Sequence, residues 1–158
     1  MKQVSAKEAL VRLETQCARC EVSTGEAREK LRRWGIFPDD AEKIVDSLVD
    51  RRFIDDGRFA LAFVRDKIRF SKWGRIKVAQ KLREKGVGRD TIAEAMDEFD
   101  EDEYRTILSE VLAARMERNP ELIESYEGRT ALFRFLLGRG FESSLAAAVI
   151  RMAKASAD

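Results

Sequence analysis

Leu82–Met96, LREKGVGRDTIAEAM, joins two short helical patterns at a glycine-bearing turn. A DNA-reading helix-turn-helix is written this way, and so is the joint of a helical repeat. The rest of the chain decides between them. With Gly86 as anchor, the pattern of leucine, three residues, glycine and an apolar residue occurs three times. The other copies are LRRWGI (Leu31–Ile36) and LLGRGF (Leu136–Phe141), whose anchors Gly35 and Gly140 lie 51 residues before and 54 after Gly86.

The flanks repeat with the anchors. Eight residues before each glycine stand Ala27, Val78 and Leu132. At six, ten and thirteen residues after it stand Ala41, Val45, Leu48, then Ile92, Met96, Phe99, then Ala146, Ile150, Ala153. Those offsets mark one face of an α-helix. Gly74-Arg75 and Gly128-Arg129 also match, twelve and eleven residues ahead of their anchors. A further helix is expected before each copy, at roughly Ala6–Arg19, Arg58–Phe70 and Glu103–Arg118.

The expected fold class is therefore all-α: three tandem three-helix repeats forming an elongated, curved array. The expected domains are residues 1–53, 54–100 and 101–158, with an inserted loop near 118–128 in the third. Ser23-x-x-Glu26 has the form of a capping box, and Pro38 suits the first turn of a helix. Each anchoring glycine is expected to end its helix in the left-handed conformation.

Composition agrees. Of 158 residues, 44% are hydrophobic, enough for a core, and 37% are charged, above the usual quarter. The chain has no histidine, which excludes Ser-His-Asp and Cys-His catalysis and His-ligated zinc. Cys17 and Cys20 form a C-x-x-C pair inside a helical pattern with no second pair to complete a metal site. They read as ordinary reduced cysteines, one packed and one near the surface. The start, MKQVSAKEALVRLE, has no apolar signal core, and no run is long enough to span a membrane. A cytoplasmic location is expected.

Net charge is only +1, but it is unevenly spread. Arg65 to Arg89 holds ten basic residues against two acidic ones, and Glu94 to Glu103 holds seven acidic and no basic. Lys77, Lys81 and Lys85 follow helical spacing, with Ile76, Ala79 and Leu82 expected to face the core. Arg65, Arg69 and Lys72 form a second stripe, and Phe70, Trp73 and Arg75 lie among these charges. Basic residues with interleaved aromatics suit phosphate or an acidic protein surface. The plainer reading is the solvated side of helices. Trp34 and Trp73, each before a glycine turn, read as packing residues. The acidic run suits a helix N-terminus better than a metal site. In the turn motif itself, the second helix carries Glu94, Asp97 and Glu98, which repel phosphate; it is a repeat joint more than a base reader.

No P-loop, dinucleotide fingerprint or H-E-x-x-H occurs. Asp55 and Asp56 are adjacent, so they diverge on a regular element and suit helix capping better than paired acid–base work. No catalytic residue, metal site or cofactor is expected.

IDDGRFALAFVRDKIRFSKWGRIKVAQKLREKGV, Ile54–Val87, resembles the central signature of the RecX family of bacterial regulatory proteins. The matching elements are Asp55-Asp56, Arg58-Phe59-Ala60, Phe63-Val64-Arg65, Gly74, Arg75-Ile76, Leu82 and Lys85-Gly86-Val87. The resemblance implies three tandem three-helix units. It also implies a non-enzymatic modulator, mostly an inhibitor, of the RecA recombinase filament, acting in DNA recombination, repair and the SOS response. The expected partner is that filament, with single- or double-stranded DNA also open, no membrane, and a monomeric chain. The alternative is a helical DNA-binding module using the basic face of the second repeat. Under either reading the candidate contacts, chosen by charge patterning, are Arg65, Arg69, Lys72, Arg75, Lys77, Lys81 and Lys85.

Overall fold

The computed structural model describes residues 3–158, and among these every regular element is helical. They run α1 Ala6–Arg19, α2 Thr24–Arg33, α3 Pro38–Asp50, α4 Asp56–Arg69, α5 Arg75–Glu84, α6 Arg89–Asp97, α7 Glu101–Arg118, α8 Tyr126–Gly138 and α9 Ser143–Ala157. A short 3₁₀ helix, Pro120–Glu124, lies between α7 and α8. The architecture is a set of tandem helical repeats, three helices at a time.

Local chemistry sets the helix ends. Ser23 accepts from the Glu26 N–H at 3.1 Å while Glu26 accepts from the Ser23 N–H at 3.2 Å, the expected capping box. Pro38 opens α3. Asp55 accepts from the Arg58 N–H at 3.0 Å and caps α4. Asp100 caps α7, whose first turn holds Glu101, Asp102 and Glu103. Gly35, Gly86 and Gly140 have φ of 77°, 82° and 97°, the left-handed ends expected of them.

The described chain forms two compact units, Met1–Phe63 with Lys81–Ala95 and Val64–Gln80 with Met96–Asp158. The core of the first includes Ala9, Leu13, Val22, Ala27, Leu31, Val45 and Leu48, with Trp34 and Ile36 packed on it. Cys17 is partly covered and Cys20 exposed, both as free thiols. In this unit the N-terminus of α2 meets the residues that end α5. The Ser23 hydroxyl donates to the Lys85 carbonyl at 2.7 Å. A Cβ on Gly25 would overlap that same carbonyl. Asp56 accepts from the Thr24 N–H at 2.8 Å and its hydroxyl at 2.7 Å, so the second aspartate serves α2 rather than α4.

The second unit contains the counterpart. The Gly74 N–H donates to the Arg139 carbonyl at 2.8 Å and the Ile76 N–H to the Gly140 carbonyl at 3.0 Å. A Cβ on Gly74 would strike the Gly140 carbonyl. Helix ends leave their last carbonyls and first N–H groups unpaired. The second joint pairs the two kinds across a glycine contact, whereas in the first a hydroxyl takes the carbonyl. Tyr104, fully buried, reinforces the second joint: its hydroxyl accepts from the Arg75 N–H at 3.0 Å and donates to Glu142. Burial raises the Tyr104 pKa, and its bond to Glu142 adds to the rise. The third repeat's equivalent glycine, Gly128, lies against the Leu122 carbonyl. The insertion therefore covers the start of α8, and Gly128 is inside that helix rather than in a loop.

One expectation fails. Ile76 is 54% exposed, and Ala79 is only half-buried. The buried arc of this segment is Gly74, Val78 and Leu82, spaced by four. Ile76 lies about 200° around the helix from Gly74 and so faces water.

Candidate basic interface

Turning α5 toward Val78 and Leu82 places Lys77 and Lys81 beside the buried arc instead of opposite it, and both are half-buried. In the second unit, the Lys77 ammonium lies 4.6 Å from the Trp73 ring centroid and Lys67 lies 5.1 Å from it. Trp73 is thus a packing residue for lysine stems and charges. Arg65 is exposed, and Phe70 is 78% exposed.

The acidic run supplies partners for the basic one inside this unit. Arg69 forks onto Glu103 at 2.7 and 3.0 Å. That hydrogen bond holds the Glu103 carboxyl below its usual range. Arg75 bonds Glu142 at 2.9 Å and Glu101 as well. Burial disfavours the Arg75 charge, but the two carboxylates outweigh it and raise the pKa. Glu101 is lowered, first by its bond from Arg75.

In the first unit, Lys85 pairs with Glu26 at 3.0 Å and Lys81 with Glu84 at 3.4 Å. The seven candidate cations therefore divide by role. Arg69, Arg75, Lys81 and Lys85 each have a carboxylate partner. Among the described residues, Arg65, Lys72 and Lys77 have none within ion-pair distance. Exposed pairs such as Arg69–Glu103 contribute little to stability, because water screens them. Arg75, with its side chain 23% exposed and two partners, is a fastener of the fold. Among the described residues no group of three or more Cys, Asp or Glu is placed to hold a metal ion. No described helix is long and apolar enough to cross a membrane.

Residues 55–96 match the family model described as RecX, second three-helix domain. A regulatory protein RecX of Prosthecochloris aestuarii is 34% identical over 124 residues, covering 78% of this chain and 78% of that protein. One from Halorhodospira halophila is 31% identical over 156 residues, 98% of this chain and 89% of that one. The chain belongs to the RecX family of regulatory proteins. Coverage is uneven across RecX relatives: the match to a Lactobacillus johnsonii regulatory protein RecX spans 27% of that protein. The crystal structure of RecX from Lactobacillus salivarius superposes with a TM-score of 0.81 at 19% identity, covering 93% of this chain and 95% of that one. At that identity the likeness establishes the RecX fold and leaves the contacts to this chain's own residues.

Proposed function

We propose that this chain is a non-enzymatic regulator that binds the RecA recombinase filament and restrains its extension, ATP hydrolysis and strand exchange. The observation that carries the reading is similarity to a regulatory protein RecX over 98% of the chain. Repeated helical units suit a partner that is itself repetitive, because several modest contacts on one filament act together. Arg65, Lys72 and Lys77, exposed or half-buried and without a carboxylate partner, are the basic-face residues left with charge for such a partner. Electrostatic contacts of this kind mainly set register and association rate.

The test is ATP hydrolysis by the cognate recombinase on single-stranded DNA, with filament length followed in parallel. Added protein is expected to slow hydrolysis and shorten filaments. No effect at a one-to-one ratio with recombinase rejects the reading. Arg65→Glu with Lys77→Glu is expected to weaken the effect while leaving the helical content intact.

Direct DNA binding is the second reading, favoured by Phe70, which follows Arg69 and is exposed in a basic stretch. It requires binding without recombinase and a log–log salt slope of about 0.9 per phosphate contacted on duplex DNA. If Lys77, Lys81 and Lys85 changed together to glutamate leave DNA affinity unaltered, that reading fails.

A further inference from the structure

A groove of about 490 Å³ runs along α7 and α8 in the second unit. Lys72, Arg115, Arg118 and Arg139 line it, against one carboxylate, Glu110. Among the described residues none of these four cations has a carboxylate within ion-pair distance, unlike Arg69 and Arg75 of the same unit. Arg139 directs its guanidinium to neutral acceptors, the Ser71 carbonyl at 2.7 Å and the Lys72 carbonyl at 3.0 Å. Its charge is therefore fixed in place but not cancelled. The same bonds hold Lys72, one of two non-glycine residues at positive φ among the described residues, in a conformation that costs about 1–2 kcal/mol. Arg115 lies 4.9 Å over the Phe135 ring. Lys72 helps lower the Glu103 carboxyl pKa from a distance without pairing with it. The C-terminal end of α7 accounts for a cation at Arg118. It does not account for four.

We propose that this groove binds an acidic peptide segment of a protein partner, with carboxylates on the cations and an aliphatic side chain between them. Guanidinium groups match carboxylates in paired hydrogen bonds. Val111 and Ala114 give the groove an apolar floor that suits a side chain from such a segment. A nucleic acid fits less well. Single-stranded chains are held by stacking bases on open aromatic faces, and the one aromatic ring here, Phe135, is already covered by Arg115. This inference goes beyond the filament reading and does not depend on recombinase.

The experiment uses the whole chain at low salt and fluorescence anisotropy. The probes are a labelled peptide of repeated Glu-Leu-Glu-Gly, the same peptide with Gln for Glu, and a labelled oligothymidylate of equal length. The Glu peptide is expected to bind and the Gln peptide not. Arg115→Glu and Arg118→Glu are each expected to weaken binding roughly tenfold, the scale of one charged hydrogen bond. Arg118→Gln repeats the measurement without reversing charge, should a reversal disturb folding. Thermal unfolding of the whole chain establishes that each variant is folded. The proposal is overturned if the Glu peptide does not bind, if the Gln peptide binds equally, or if folded variants bind it undiminished. Tighter binding of the oligothymidylate, lost in the same variants, also overturns it by making the groove a nucleic-acid site.

Discussion

In the first unit the carbonyl of Lys85 is met by a side chain, the Ser23 hydroxyl, whereas in the second the carbonyls of Arg139 and Gly140 are met by the backbone N–H groups of Gly74 and Ile76. Both joints bring a glycine-bearing helix start against a glycine-bearing helix end. The first therefore rests on a side chain that a single substitution removes. The second rests on backbone, and substitution reaches it through the space at Gly74 and Gly140 or through the Tyr104–Arg75–Glu142 network around it. One repeat geometry is written in two chemistries, with different weak points.

Steric closure should have the largest effect. Gly74→Ala drives a Cβ into the Gly140 carbonyl, with backbone on both sides and no flexible side chain to yield. A loss of about 3 kcal/mol or more is expected in urea unfolding. Gly35→Ala meets no atom and bears only the cost of positive φ, about 1 kcal/mol. Equal losses for the two would mean that close approach at the joint is not what holds it. Trp34 belongs to the first unit and Trp73 to the second, so single-tryptophan variants assign each loss to its unit.

Tyr104→Phe comes next. It leaves the Arg75 N–H and Glu142 without their shared partner beneath a fully buried ring. About 2 kcal/mol is expected, read from the Trp73 signal. In the first unit, Ser23→Ala deletes the bond to Lys85 and half of the capping box together. About 1–2 kcal/mol is expected there, read from Trp34. A larger loss from Ser23→Ala than from Tyr104→Phe would reverse the ranking of the joints.

Much of this frame was legible because it is local. A capping box, a first-turn proline and a glycine ending a helix involve residues within a few positions, so spacing alone located Ser23, Pro38 and Gly86. The offsets after each anchor located buried Val45, Leu48, Ile92 and Ile150 for the same reason. Ile76 was misjudged because a helix offers several apolar arcs, and only packing decides which is covered. Gly74-Arg75 and Gly128-Arg129 stood out as a matching pair, but the opposing carbonyls of Gly140 and Leu122 come from the tertiary fold and from an insertion. The basic stripe was visible as charge; its division into paired and unpaired members was not. Arg69 and Glu103 lie 34 positions apart, and each also has a sufficient local explanation as a solvated cation or a helix-start acid. The groove cations from Lys72 to Arg139 are more widely scattered still, and no periodicity joins them.

The smallest expected effect is in acid, and it separates the units by where their depressed carboxylates find partners. Glu101 and Glu103 of the second unit are held below the usual carboxylate range by bonds from Arg75 and Arg69. A carboxylate depressed in the folded state contributes stability above its unfolded pKa of about 4.3 and loses it as pH falls through the folded value. In the first unit Glu29 is depressed too, but by Arg32 three residues away on the same helix. Protonating Glu29 therefore loosens one turn of α2, whereas protonating Glu103 and Glu101 releases α7 from Arg69 and Arg75. Lowering pH from 6 to about 3 at low salt should thus shift the Trp73-reported unfolding more than the Trp34-reported one. Glu103→Gln should reduce that difference, because it removes one of the groups that titrates. Added salt should shrink it as well, since these carboxylates are near solvent. An acid response equal in both units, unchanged by Glu103→Gln, would show that the Arg69 fork closes without holding α7 to α4.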